Sequence, residues 1–169
     1  MIVLMAGLPG TGKTTVAREL ASRLAGSVLS KDAIRHALFE PRDVEYSTEQ
    51  DDFCMEVMLQ AAAFLARRDA GRHVFLDGRV FSRQYQIERV IAAAQEINQP
   101  WMILECVCAE ETARQRLQSQ AGQHPAQNRN FQLYCEVKAR FEPITREKTV
   151  IDTDRPLNEC IELALASLL

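Results

Sequence analysis

Short apolar runs alternate along this chain with stretches in which apolar residues return every three or four positions, the periods of buried strands and of helices packed on one face. Ile2 to Ala6 is the first run. A glycine-rich loop follows it, and Lys13 to Ala25 then carries Val16, Leu20 and Leu24 at helical spacing. Val28 and Leu29 make a second, brief strand, and Ile34, Leu38 and Phe39 suggest a short helix that stops near Pro41. Ser47 and Gln50 have the spacing of a capping box, and Phe53, Val57, Ala61 and Phe64 then mark one face of a long helix reaching about Arg68, ended by Gly71.

The alternation continues through the second half. Val74 to Leu76 is a third strand closed by Asp77, and Ile87, Val90, Ile91, Ala94 and Ile97 give the next helix its apolar face before Pro100 resets the chain. Trp101 to Val107 reads as a fourth strand, Glu110 to Leu117 as a helix, and Gln118 to Asn130 as a polar loop punctuated by Gly and Pro. Phe131 to Phe141 returns to helix, Thr149 to Ile151 is a fifth strand, and Leu157 to Leu168 a closing helix behind Pro156. Five strands separated by helices predict an α/β fold with a five-stranded parallel sheet and helices on both faces, because parallel neighbours need long crossovers.

Length and composition narrow the setting. A chain of 169 residues with 47% apolar positions is enough for a single domain over 1–169 with one core. The net charge of −3 disfavours nucleic acid or an anionic membrane as the main partner and favours a small molecule. The five cysteines, Cys54, Cys106, Cys108, Cys135 and Cys160, include no C-x-x-C pair, so a cytoplasmic setting with reduced thiols is expected. Cys106 and Cys108, two apart in a strand-like run, read as buried structural thiols. No long apolar span or secretion signal is visible, and His36, His73 and His124 lack the spacing of a metal site.

One motif carries chemistry. Gly7-Leu8-Pro9-Gly10-Thr11-Gly12-Lys13-Thr14 fits G-x-x-x-x-G-K-[ST], with an apolar strand before it and an apolar-periodic helix after it. In such a loop successive N–H groups and the positive helix end face one anion, so phosphate is the natural occupant. Lys13 is then expected on the β- and γ-phosphates of ATP, and the Thr14 hydroxyl on Mg²⁺, with Thr15 completing the cradle. Asp77, at the end of a buried strand, has the placing of an acid that orders the metal or its water.

Gly7 to Thr15 together with Ser30-Lys31-Asp32-Ala33-Ile34-Arg35 resembles the predicted-kinase branch of P-loop NTPases, AAA_33-like and similar to polynucleotide 5′-hydroxyl kinase, chloramphenicol phosphotransferase, gluconate kinase and the zeta toxins. The resemblance implies a kinase that moves the γ-phosphate of ATP to an alcohol group of a small hydroxylated acceptor. It implies a general base at Asp32 and an acceptor contact at Arg35, although Asp32 has equally the chemistry of a helix cap. It also implies a small lid over about 118–130, with Arg116 stacked on the adenine. Where relatives place a second lid arginine this chain has Gln120, so Arg129 is the expected phosphate clamp. Asp152 to Pro156 would form one wall of the base pocket, and Arg42 to Asp52 with Arg79 to Arg83 would overhang the acceptor. Two other functions fit the same motifs: a polynucleotide or nucleotide-sugar kinase, and a nucleotide-binding regulatory ATPase that works through a partner. A guanine-selective N-K-x-D stretch is missing from the sequence.

Overall fold

The computed structural model describes residues 1–119 and 130–168. Five parallel strands, β1 (Ile2–Ala6), β2 (Ser27–Ser30), β3 (Val74–Asp77), β4 (Trp101–Val107) and β5 (Thr149–Asp152), stand in the order β2-β3-β1-β4-β5. The alternation inside β1 explains why it lies at the centre. Ile2, Leu4 and Ala6 enter one core, Val3 and Met5 the other, and all five are buried.

The first core lies under α3 (Thr48–Arg68) and α4 (Gln84–Glu96), the second under α1 (Lys13–Arg23) and α7 (Leu157–Leu168). Three further helices, α2 (Lys31–Leu38), α5 (Glu110–Ser119) and α6 (Phe131–Ala139), stand around the carboxyl ends of the strands. A single 3₁₀ turn, Pro41–Asp43, links α2 to α3, so Pro41 opens a turn as well as closing a helix. Among the described residues no helix is long and apolar enough to cross a membrane.

Helix ends follow local chemistry. The first helix stops two residues before the expected Ala25, because Ala25 takes a left-handed φ of 48° and Gly26 donates back to the Ala21 carbonyl at 2.8 Å. The helix expected to end at Leu117 continues through Ser119, and Asn130 accepts from Leu133 N–H at 2.8 Å to start α6, so only the interior of the expected lid falls outside the described residues. At α3 the capping box is half formed. Ser47 accepts from Gln50 N–H at 3.2 Å, but the Gln50 side chain turns away to Glu45 N–H and the Asp43 carbonyl, bracing the chain before the helix.

The expected face of α3 needs correction. Phe53 and Phe64 are about half exposed, and the buried stripe is Cys54, Met55, Met58, Leu59, Ala62 and Ala66, one position further round. Both stripes have helical period, and tertiary packing chose the one without aromatic or β-branched side chains, which fits close to the sheet. Phe53 instead packs edge-on against Phe39, ring centres 5.9 Å apart. Cys106 is fully buried in β4, where burial pushes its thiol up to about 12, whereas Cys108 lies past the strand end and is half-buried.

This packing gives opposite expectations for two apolar residues of one helix. Met58→Ala is expected to lower unfolding stability by about 2–5 kcal/mol through cavity formation, and Phe64→Ala by under about 1 kcal/mol, in chemical denaturation monitored by circular dichroism. Equal losses would place the buried stripe elsewhere.

Candidate functional site

Gly7 leaves β1 at φ 127°, and a Cβ there would stand 2.2 Å from the Cys106 carbonyl oxygen. Only glycine fits where the loop bends against β4. The loop then closes on itself. Thr11 donates through Oγ1 to the Leu8 carbonyl at 2.8 Å, Gly12 enters α1 at φ 83°, and Lys13 Nζ donates to the Gly7 and Leu8 carbonyls at 2.7 and 2.8 Å. Lys13 is buried at the loop mouth, and Thr15 is exposed beside it. Leu8, Pro9, Gly10, Thr11 and Gly12 thus wrap the amino end of an eleven-residue helix, an arrangement suited to a polyphosphate.

Thr14 and Asp77 meet as expected. Thr14 Oγ1 donates to Asp77 Oδ2 at 2.7 Å, which leaves the hydroxyl oxygen's lone pairs open to the cavity. Asp77 Oδ1 is buried, and no hydrogen-bond partner reaches it among the described residues. A buried carboxylate oxygen without a donor is suited to a cation or its water. Groups of three or more His, Cys, Asp or Glu able to hold a metal by themselves are missing among the described residues, so any ion here would share its ligands with phosphate oxygens.

The register of the sheet brings the second half of the site beside the first. Ser30 pairs with Asp77 across β2 and β3, so Asp32, two residues on, starts α2 next to the β3 exit. Gly78 turns that exit at φ 93°, where a Cβ would press on Lys31 Cβ and N at 3.2 Å. The cap of α2 is Ser30, which accepts from Ala33 N–H at 3.3 Å, and Asp32 is in the first turn with its carboxylate in the cavity wall. Capping therefore does not account for Asp32.

Four charged side chains lock this corner. Asp32 Oδ1 is 3.1 Å from Arg35 Nη1 and 3.4 Å from Lys31 Nζ. Asp51, from the first turn of α3, takes Lys31 Nζ at 2.5 Å and pairs with Arg35 Nη2. Arg35 is 1% exposed, its guanidinium lies 5.2 Å from the Tyr46 ring, and both its Nη groups are engaged by carboxylates. Arg35 thus orients Asp32 and Asp51 from within the wall. Lys31 was given no role from the sequence, and Asp51 only a place in the Arg42 to Asp52 segment. Their signal was faint: a lysine inside a helix cap motif and an acid in a first turn both look solvated until α2 packs on α3.

At the opposite wall Arg116 donates to Thr153 Oγ1 at 2.9 Å and to its carbonyl at 2.8 Å, while Thr153 donates on toward the Thr11 and Val107 carbonyls. Thr153, the residue missed in the Asp152 to Pro156 stretch, ties α5, the phosphate loop and the end of β5 together. Asp154 accepts from Ala109 N–H at 2.6 Å, a bond that holds its carboxyl below the usual range. Gln120 and Arg129 lie outside the described residues.

These elements enclose one cavity of about 890 Å³. Nine Lys and Arg side chains face it against Asp32, Asp51 and Asp77, a strongly positive lining in a chain of net charge −3. Arg42 does not reach the wall, but Tyr46, Thr48 and Asp51 do, as do Arg79, Val80, Ser82 and Arg83.

Residues 2–144 match the AAA_33 family model, described as an AAA domain, and the chain belongs to that family. Among curated proteins, none matches the chain by sequence. Solved structures share the whole fold. A Chloroflexus aurantiacus protein proposed to be a kinase aligns over 99% of this chain and 98% of its own, with a TM-score of 0.75 and 20% identity. The Mycobacterium tuberculosis APS kinase CysC, bound to AMPPNP and APS, aligns over 99% and 96% at a TM-score of 0.74 and 18% identity. A Sinorhizobium meliloti gluconokinase aligns over 99% and 90% at 0.69 and 17%. These likenesses show that the fold, a five-stranded parallel sheet with helices on both faces, is shared.

The locked corner has a measurable cost of disruption. Arg35→Met is expected to destabilise the fold by about 2–4 kcal/mol, because it removes the buried one of the two cations that Asp32 and Asp51 share and leaves both carboxylates to Lys31. Urea titration reads this, and a loss below about 1 kcal/mol would show that Arg35 does not hold the corner together.

Proposed function

We propose that the protein is an ATP-dependent kinase that transfers the γ-phosphoryl group to a hydroxyl of a small acceptor. The observation that carries this reading is one continuous cavity with the phosphate loop at one end and Asp32, held by Lys31 and Arg35, at the other. A regulator that only binds or slowly hydrolyses nucleotide has no need of a carboxylate held in a second, cation-lined hollow. The small-molecule kinases that share the fold point the same way.

In this mechanism the loop amides and Lys13 hold the β- and γ-phosphates, with Thr14 and Asp77 placed to hold Mg²⁺ among the phosphate oxygens. When bound, the ion offsets charge on the transferring group. Arg116 and Thr153 border the loop where the nucleoside would enter, and Arg129 remains the proposed clamp from the lid. The acceptor hydroxyl approaches the γ-phosphorus in line, its oxygen forming the new P–O bond as the bond to the β-phosphate oxygen breaks. The hydroxyl proton passes to Asp32 and ADP leaves. Arg35 keeps the carboxylate aimed at the acceptor, so both residues contribute to the step, the first by chemistry and the second by position.

The test is transfer of label from γ-labelled ATP across sugars, sugar acids, nucleosides, antibiotics and oligonucleotide 5′-ends. A labelled small acceptor is the expected result; label on oligonucleotides alone, or on nothing while a protein partner responds to ATP, would overturn it. Lys13→Ala is expected to abolish transfer and weaken Mg-ATP binding while the circular dichroism spectrum stays folded, and unchanged turnover would remove the loop from the mechanism. Asp32→Asn is expected to keep Mg-ATP affinity but lose transfer by about 10²-fold or more, the scale of a general base. Wild-type transfer rates in that variant would sink the base assignment.

A further inference from the structure

A second hollow of about 540 Å³ opens between α3 and α4, and its floor is apolar: Met55, Leu59 and Val90. It borders the main cavity, because Arg79, Tyr85 and Gln86 line both. Arg79 stands at the junction. Its side chain is 5% exposed, its Nη2 pairs with Asp52 at 2.5 Å, and its Nε is buried with no hydrogen-bond partner among the described residues. Tyr85 Oη donates to the same Asp52 at 3.2 Å.

The turn that carries Arg79 is fixed at both ends. Gly78 has φ 93°, and Phe81 keeps a left-handed φ of 57° while its ring is buried in the core. A non-glycine residue persists there only when its surroundings hold it. Arg79 is thus a positioned cation whose single acid, Asp52, is half exposed. Arg35 Nε is also buried without a hydrogen-bond partner among the described residues, but both Nη groups of Arg35 and the Lys31 ammonium are taken by Asp32 and Asp51, and of these three cations only Arg79 lines the second hollow.

We propose that the α3–α4 hollow is a binding subsite for an organic oxyanion with an apolar body: the anionic group on Arg79 and the hydrocarbon on Met55, Leu59 and Val90. Resting on the kinase reading, such a molecule is the acceptor, its hydroxyl extending past Tyr85 toward Asp32. A sugar hydroxylated all round suits this floor poorly, since each buried hydroxyl would lack a partner. The volume is in the range of small-ligand pockets and too large for an anion alone.

The probe is 8-anilinonaphthalene-1-sulfonate, an aromatic sulfonate, with uncharged N-phenyl-1-naphthylamine as its counterpart. The wild-type chain labelled at the methionine methyls gives five signals, from Met1, Met5, Met55, Met58 and Met102. Titration with the sulfonate is expected to saturate and to shift Met55 while Met1 and Met102 stay still. In Arg79→Met, checked for folding by circular dichroism, sulfonate affinity is expected to fall about tenfold or more while the neutral probe is held as in the wild type, the mark of a lost charge-assisted contact. Should that variant not fold, the methyl shifts of the wild type decide alone. No saturable binding, shifts at Met1 or Met102 in place of Met55, or equal sulfonate affinity in a folded Arg79→Met would overturn the subsite. The two readings fail separately: a chain that transfers phosphate while Met55 stays still keeps the kinase and loses the subsite, and one that binds the probe but labels no acceptor keeps the subsite and loses the kinase.

Discussion

Repulsion between like charges is the constraint that organises this molecule. Nine cationic side chains face one cavity, and each must be held in place although its neighbours push it away. The fold answers by sharing its few acids. Asp51 serves Lys31 and Arg35 together, Asp32 touches the same two, and Asp52 holds Arg79 from the next position of the same helix. Two consecutive residues of α3 therefore restrain both cationic walls of the acceptor side. Partial neutralisation leaves the lining positive enough to attract a polyphosphate and ordered enough to define where it sits.

Much of this was readable from the chain because its signals are local. Strand runs, helix periods and the phosphate loop depend on neighbours within a few residues, and the parallel sense of the sheet follows from the crossovers between its strands, whereas the placing of β1 between β3 and β4 was not readable. What stayed hidden depends on contacts between distant segments. The face of α3 was misread because two stripes of similar period compete on one helix, and the sheet, not the sequence pattern, selects the stripe with Met58 and Leu59. Asp51 and Lys31 look like surface charges until α2 meets α3. Arg35 was singled out from the sequence and lines the cavity, but its burial and its pairing inside the wall were not legible.

Position along the sheet separates tasks that chemistry joins. The phosphate loop and Thr153 follow the ends of β1 and β5 and Asp77 is the last residue of β3, so the proposed donor side is tied to the backbone pairing of the core. The proposed acceptor side is only partly so: Lys31, Asp32 and Arg35 follow β2, but Tyr46, Thr48, Asp51 and Asp52 belong to the chain between α2 and the first turns of α3, which contributes no strand.

The pairing of Ser30 with Asp77 therefore acts as a ruler between two halves of unequal freedom. An insertion within β2 or β3 would change the distance from Asp77 to Asp32 and, in the proposed mechanism, misalign the hydroxyl with the phosphorus. An insertion near Pro41 leaves that distance alone and reshapes only the rim of the acceptor hollow. If the chain is the proposed kinase, its descendants can thus exchange one acceptor for another by editing a short connecting segment, while the machinery proposed to handle the triphosphate is inherited unchanged.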